Sequence, residues 1–417
     1  MKPTHFLIAS AAMLLASTTP LSAQPPTGDT LGLEEAVRLA VEAEDPALAR
    51  HLARADALEH EAVADSQLPD PQVSGQVANV PVDTFSFDQA DMTQLRVGLR
   101  QQFPAGRTLA VRRDMRLAES RVEQARSRAE AARIARETRM AWLDAVHHEA
   151  AGRLLEQSRN RVQRQIDALA SQFATGRLQR QDILRAELEL SLIDDRLAEH
   201  RRQAELARAS LARWIGTDAD RPLPGALPQF DVNRELGALT ARLVDHPEVA
   251  AADARIAAAG LGIELAEQAY RPALALEGGY GIRQDRADFA SIGVTMSLPL
   301  FTDRRQDRER AAAVRRQGAE ELERDALLLE LKRQLEREWT NWRRLGERVD
   351  LYRSAVEARA AETAEATIGT YANRETDFSE LIRSQLAELD LAVRRLELEV
   401  ERARAWAQVR WLAGEPS

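Results

Sequence analysis

Two hydrophobic periods alternate along this chain. Over residues 106–170, Val111, Met115, Ala118, Val122, Ala125, Ala129 and Ala132 recur at steps of four and three. That spacing predicts a helix with a narrow seam of small residues, able to approach a neighbouring helix closely. Residues 304–370 repeat the composition, and neither stretch contains proline. Each predicts a helix of roughly 100 Å at ~1.5 Å per residue. A second seam runs through Leu386, Leu389, Val393, Leu396, Val400, Ala403 and Ala407. Shorter helices are predicted over 33–67, 179–216, 236–268 and 377–413. Two of them end to end match one long helix, which predicts short helices stacked in series beside each long one.

Between the helices the period drops to two. In 94–103, Leu95, Val97, Leu99 and Phe103 alternate with Gln94, Arg96, Gly98, Arg100 and Gln102. Segments 273–283 and 291–300 alternate in the same way, and 72–80 does so more weakly, through Val73, Gly75 and Val77. Such segments predict strands with one apolar and one polar face. The links Pro81–Met92 and Gln284–Asp288 make them two hairpins. At about 9–11 residues each strand has the length of a tilted membrane-spanning strand. A soluble four-stranded sheet with a helix over its apolar face is the alternative. In lipid, unpaired strand edges are too costly to leave open, so the sheet must close. Four strands cannot close, whereas three chains supply about twelve, enough to enclose a lumen lined by the polar faces. Contacts between identical copies would close such a ring.

The chain is also duplicated. Asp45-Pro46-Ala47-Leu48 corresponds to His246-Pro247-Glu248-Val249, and Leu68-Pro69-Asp70-Pro71 to Ala269-Tyr270-Arg271-Pro272, both at an offset of 201 residues. Phe173-Ala174-Thr175-Gly176 corresponds to Tyr371-Ala372-Asn373-Arg374 at 198. The halves end alike, in Trp214-Ile215-Gly216 and Trp411-Leu412-Ala413-Gly414. The reading is a first repeat over 24–220, a proline-rich linker over 221–235 and a second repeat over 236–417. Such a long period suits a duplicated helix–hairpin–helix module rather than a solenoid unit. Residues 1–23 carry one Lys, an apolar run from Phe6 to Ala16 and small residues up to Ala23. They read as a secretory signal, the apolar run falling short of the ~20 residues a spanning helix needs.

Composition narrows the chemistry. The chain has 57 basic and 66 acidic residues, a net charge of −9 that becomes −10 without the first 23 residues. Acids outnumber bases, which argues against nucleic acid as a partner. Cysteine is absent, so disulfides, thiolate metal sites and lipid attachment through Cys are excluded. No Gly-rich phosphate loop or serine elbow occurs, so neither an enzyme nor a cofactor is expected. His147 and His148 are adjacent, and adjacent helical residues diverge, so no metal ligation is expected there.

The duplicated proline entries at Pro46 and Pro247, the strand openings at Pro71 and Pro272, and the strand ends Gln102-Phe103-Pro104 and Ser297-Leu298-Pro299-Leu300-Phe301 resemble those of the TolC family of outer-membrane efflux ducts. The resemblance covers roughly 30–414. It implies a mainly α fold with a small β part: a homotrimer with a twelve-stranded outer-membrane β-barrel, four strands per protomer, above a long periplasmic α-barrel of coiled-coil helices. It further implies outer-membrane lipid around the barrel, a periplasmic adaptor protein and an inner-membrane pump. The segment LPDPQVSG…ANVPVDTF…QQFPAG is most similar to members working with metal-exporting pumps of the resistance–nodulation–division class. Many of those carry a lipid-modified Cys that this chain lacks. The family also has a constriction at the periplasmic helix tips, often lined by acids. Its turn pattern places Asp182 six residues after Gly176, and Glu380 six after Arg374. A further acid three residues on is replaced by Arg185 and Arg383, against a double acidic ring. Asp182, Glu380, Asp377, Arg185 and Arg383 are thus gate candidates, and Thr175, Gly176, Asn373 and Arg374 candidates for adaptor docking. The bland reading of Asp182 and Glu380 is acids favouring a helix start, and Asp377 reads as a helix cap. The exit duct of a one-step (type I) protein secretion system, and a periplasmic coiled-coil scaffold with no channel, are the competing functions.

Overall fold

The computed structural model describes residues 30–174, 180–232, 234–373 and 375–414. The expected signal segment therefore lies outside the described residues. The first helix expected, 33–67, is two: α1 (Leu33–Glu42) and α2 (Pro46–Asp65). Proline lacks an N–H and fits only the first turn of a helix, so Asp45-Pro46 starts a new one. The Asp45 carboxylate accepts the Ala47 N–H at 2.7 Å, capping α2. The second repeat breaks at the same place. A short α5 (Leu236–Ala241) and a 3-10 turn precede α6 (Pro247–Gln268), whose cap is His246, accepting the Glu248 N–H at 3.2 Å. The two caps are stabilised differently. Arg213 hydrogen-bonds Asp45 at 2.7 Å and holds its carboxyl below the usual range. His246 is fully buried, edge-on to Trp411 with ring centroids 4.9 Å apart, and burial lowers its pKa to about 4.

The spine of the molecule is α3 (Thr108–Ala174), 67 residues without interruption. Its seam residues Val111, Ala118, Val122 and Ala125 are buried. The corresponding helix of the second repeat, expected as one piece over 304–370, is α7 (Gln306–Leu351), a π turn at Tyr352–Val356, and α8 (Glu357–Ala372). No residue of the π turn is buried, so no packed seam holds the ordinary period there. The remaining long elements are α4 (Arg180–Ile215) and α9 (Phe378–Leu412). Helices α2 and α4 pack in series along α3. Helix α6 packs along α7, and α9 along α7 and α8; α3 also packs against α6 and α9, which joins the repeats. One core forms around Trp142, with Leu31, Leu143, Leu211 and Trp406. Another, with Leu155, Ile193, Phe378 and Leu389, lies toward the helix tips. Among the described residues no helix is long and apolar enough to cross a membrane.

The strands form one antiparallel sheet in the order β1 (Gln72–Ala78), β2 (Gln94–Phe103), β3 (Ala273–Ile282) and β4 (Phe289–Ser297). Strand β1 stops short of residue 80 because Asn79 turns the chain at φ 57°, and its side-chain amide donates to the Met92 carbonyl at 3.1 Å. The alternation predicts β4 over 291–300, whereas the strand starts two residues earlier and ends three earlier. Pro299 has no N–H to pair, and Phe301 sits at φ 58°, so the pairing ends at Ser297.

Candidate membrane-facing sheet and helix-tip site

The two hairpins are stitched together. Strand β2 pairs with β3 from Leu95↔Ile282 to Phe103↔Leu274, so each repeat contributes half of one continuous sheet. Alternation then sorts the side chains. Val73, Val77, Leu95, Val97, Leu99, Leu274, Leu276, Tyr280, Ile282, Ile292, Val294 and Met296 share one face by register. Among the described residues no helix covers it: Ile292 is 92% exposed, Val73 76% and Val294 65%. This is opposite to the soluble alternative, which requires a helix over that face. Among the described residues β1 and β4 each pair on one side only, leaving two open edges.

The other face is polar and carries Gln72, Ser74, Gln76, Gln94, Arg96, Arg100, Glu277, Ser291 and Thr295. Arg100 and Glu277 pair across the β2–β3 junction at 3.3 Å. Arg96 lies across Gly279 to donate to Ser291 Oγ at 2.9 Å. A Cβ at Gly279 would fall 2.9 Å from both the Arg96 Nε and the Ser291 Oγ, so glycine there lets the arginine lie flat on the sheet.

At the opposite end, the α3–α4 and α8–α9 hairpins meet. Asp182 sits half-buried in the first turn of α4, where the helix dipole favours a carboxylate. Its charge, after burial, helps raise the pKa of the Tyr371 phenol on α8. No salt bridge of Asp182 is found among the described residues. Glu380 differs: Arg383 pairs with it at 2.6 Å. Asp377 caps α9 by accepting the Glu380 N–H at 2.9 Å. Arg185 Nη1 donates to Ser379 Oγ at 3.1 Å, tying α4 to α9. Asn373 is the C-cap that follows α8, its N–H donating to the Gly369 carbonyl at 3.1 Å. Thr175, Gly176 and Arg374 lie outside the described residues. The Arg383–Glu380 pair was legible as an i,i+3 spacing. The Arg185–Ser379 contact was not, because it depends on how two repeats dock.

A third group departs from expectation. His147 and His148 do not diverge; their ring centroids are 4.6 Å apart, and His200 of α4 stands 5.5 Å from His148. His200 carried no signal in the sequence, since its partners lie 52 residues away. Among the described residues no group of three or more His, Asp or Glu is arranged to hold a metal ion.

No protein-family model and no curated protein matches the sequence. Solved structures do. A membrane protein from Pseudomonas aeruginosa superimposes with a TM-score of 0.78 at 16% identity, over 92% of this chain and 90% of that one. CusC, described in terms of folding and transmembrane channel formation, gives 0.77 at 15% identity over 92% of each chain. The outer membrane protein VceC from Vibrio cholerae gives 0.73 at 17% identity, over 92% of this chain and 96% of that one. The fold is that of outer-membrane channel proteins. It agrees with the TolC-like architecture that the duplicated proline motifs imply: mostly helical, with long helices and a small antiparallel sheet. At these identities the likeness is one of fold.

Proposed function

We propose that this chain is the outer-membrane exit duct of a tripartite efflux pump and a member of the TolC family. The observation that carries the reading is the uncovered apolar face of an open four-stranded sheet, set on helices roughly 100 Å long. An apolar surface of that extent belongs in lipid or against a partner. Three copies would close their edges β1-to-β4 into twelve strands, with the polar faces lining water. The helices would extend into the periplasm and meet an adaptor protein and an inner-membrane pump of the resistance–nodulation–division type. The duct is passive: the pump supplies the energy, and metal ions or small toxic compounds are the cargo. A type I protein secretion duct would share this architecture. A periplasmic scaffold would not need a bare apolar sheet.

The absence of native cysteine gives a direct test of the shared barrel. Single cysteines are placed along β1 at Gln72, Ser74 or Gln76 and along β4 at Ser291, Thr295 or Ser297, combined pairwise. Oxidised membranes should yield linked dimers and trimers in non-reducing gels for the pairs in register. Monomers across the whole panel would refute closure between copies.

Asp182, Glu380, Asp377, Arg185 and Arg383 are the proposed gate group, and Thr175, Gly176, Asn373 and Arg374 the proposed adaptor-docking turns. Rings of carboxylates select and hold cations. Because Arg383 already neutralises Glu380, Asp182 should dominate. Asp182→Ala is expected to raise resting conductance in planar bilayers several-fold, and Glu380→Ala to add little. Unchanged single-channel conductance in the double variant would remove both from the gate.

A further inference from the structure

Three histidines meet midway along the first-repeat hairpin. His147 and His148 stand on α3 and His200 on α4, with ring centroids 4.6, 5.5 and 6.2 Å apart. His148 Nδ1 and His200 Nδ1 are 3.3 Å apart. That hydrogen bond needs one nitrogen bare, so it cannot survive with both rings charged. Both ring nitrogens of His147 are buried without a hydrogen-bond partner, an uncommon state for buried polar atoms.

The surroundings offer too little counter-charge: Asp144 and Glu199 favour a charged His148, and Glu397 and Glu199 a charged His200, but burial outweighs them. On α3, Asp144 is bound by Arg404 of α9. On α4, Glu199 is held by Arg202 at 2.7 Å and Arg196 by Asp390 of α9 at 2.7 Å. On α9, Glu397 is held by Arg394 at 2.6 Å. Every carboxylate that faces the cluster is already paired, while Arg404 and Arg196 disfavour further positive charge. Burial, first of all, lowers the pKa of all three rings, that of His147 to about 4.

We propose that His147, His148 and His200 form a proton-sensitive clasp that holds α4 against α3 when neutral and releases it on acidification. The sign follows from the lowered pKa. Below 6.5 the free imidazoles of an opened hairpin bind protons that the closed cluster refuses, so closure weakens as the pH falls from 6.5 towards 4. The clasp lies ~40 Å from the end of α3 at the helical rise, with the core of Leu155, Ile193 and Leu197 between it and the tip, so its release loosens α4 locally. Only one hairpin of the two has it. Trp142 and Trp214 correspond to Trp339 and Trp411 at an offset of 197, and at that offset the histidines meet Arg344, Leu345 and Glu397. The proposal stands independently of the duct reading.

The test is hydrogen exchange on the full-length protein in detergent at pH 7.5 and 5.0, with rates corrected for intrinsic pH dependence. Peptides covering 143–152 and 195–205 should lose protection at pH 5.0, by about 30-fold for a ring held near 4 as His147 is, the limit set by the interval from 6.5 down to 5.0. The variant carrying His147→Gln, His148→Gln and His200→Gln should keep equal protection at both values. Should that variant fail to fold, His200→Lys provides the second arm: its fixed charge should give at pH 7.5 the exchange the unaltered chain shows at 5.0. Equal protection of the unaltered chain at both pH values, an equal loss in the triple variant, or full protection of His200→Lys at pH 7.5 would each overturn the clasp.

Discussion

Val97→Arg should abolish recovery of the protein from the outer membrane. Val97 lies mid-strand on β2, opposite Gly75 on one side and Tyr280 on the other, within the bare apolar face. Arginine at the midplane of a membrane barrel costs ~2–4 kcal/mol. Three copies in one barrel would raise that to roughly 6–12 kcal/mol, comparable to the whole stability of many folded proteins. On a water-exposed sheet the same change would fall within about 0.5 kcal/mol. Thr295→Lys is the control, since it faces the other way and lies beside Glu277. The readout is a heat-modifiable oligomer in the outer-membrane fraction. It should vanish for Val97→Arg and persist for Thr295→Lys; normal recovery of Val97→Arg would mean that face does not meet lipid.

Trp142→Ala should be the most damaging single change in the helical part. The side chain is wholly buried in the largest core, and its indole N–H donates to the Leu31 carbonyl at 3.0 Å. Leu31 in turn donates to the Pro222 carbonyl at 2.8 Å, so one tryptophan pins both the segment leading into α1 and the inter-repeat linker to α3. Truncation of a buried tryptophan costs about 3–5 kcal/mol. The orphaned carbonyl adds about 1–3 kcal/mol. Trp142→Phe should show mainly the second part. Urea unfolding followed by helical circular dichroism separates them, and a loss below about 1 kcal/mol for Trp142→Ala would show that the linker is held elsewhere.

Much of this architecture was written in local periods. Strand β2 occupies 94–103, as its alternation predicts, because its two faces meet different surroundings and leave a clean signal. The breaks at Pro46 and Pro247 follow from proline's missing N–H, yet a composition rich in helix formers runs through both and masks them. The pairing of β2 with β3 was beyond local reach. It joins residues nearly 180 apart, and its one trace is the opposite charge of Arg100 and Glu277. At the tip, Asp182 and Glu380 occupy equivalent places, but a neighbouring arginine makes them electrically unlike. The histidine cluster stayed hidden because the rule that adjacent helical residues diverge fails when both rings lean towards a third on the next helix.

The π turn at Tyr352–Val356 has a mechanical corollary. Helix α3 and its counterpart each run 67 residues to the tip, but only the counterpart contains a widened turn, laced to α9 by Arg353–Glu399 at 2.7 Å and Glu357–Arg395 at 2.6 Å. A trimer assembled from this chain would look six-fold in outline while bending with three-fold symmetry, stiff staves alternating with jointed ones.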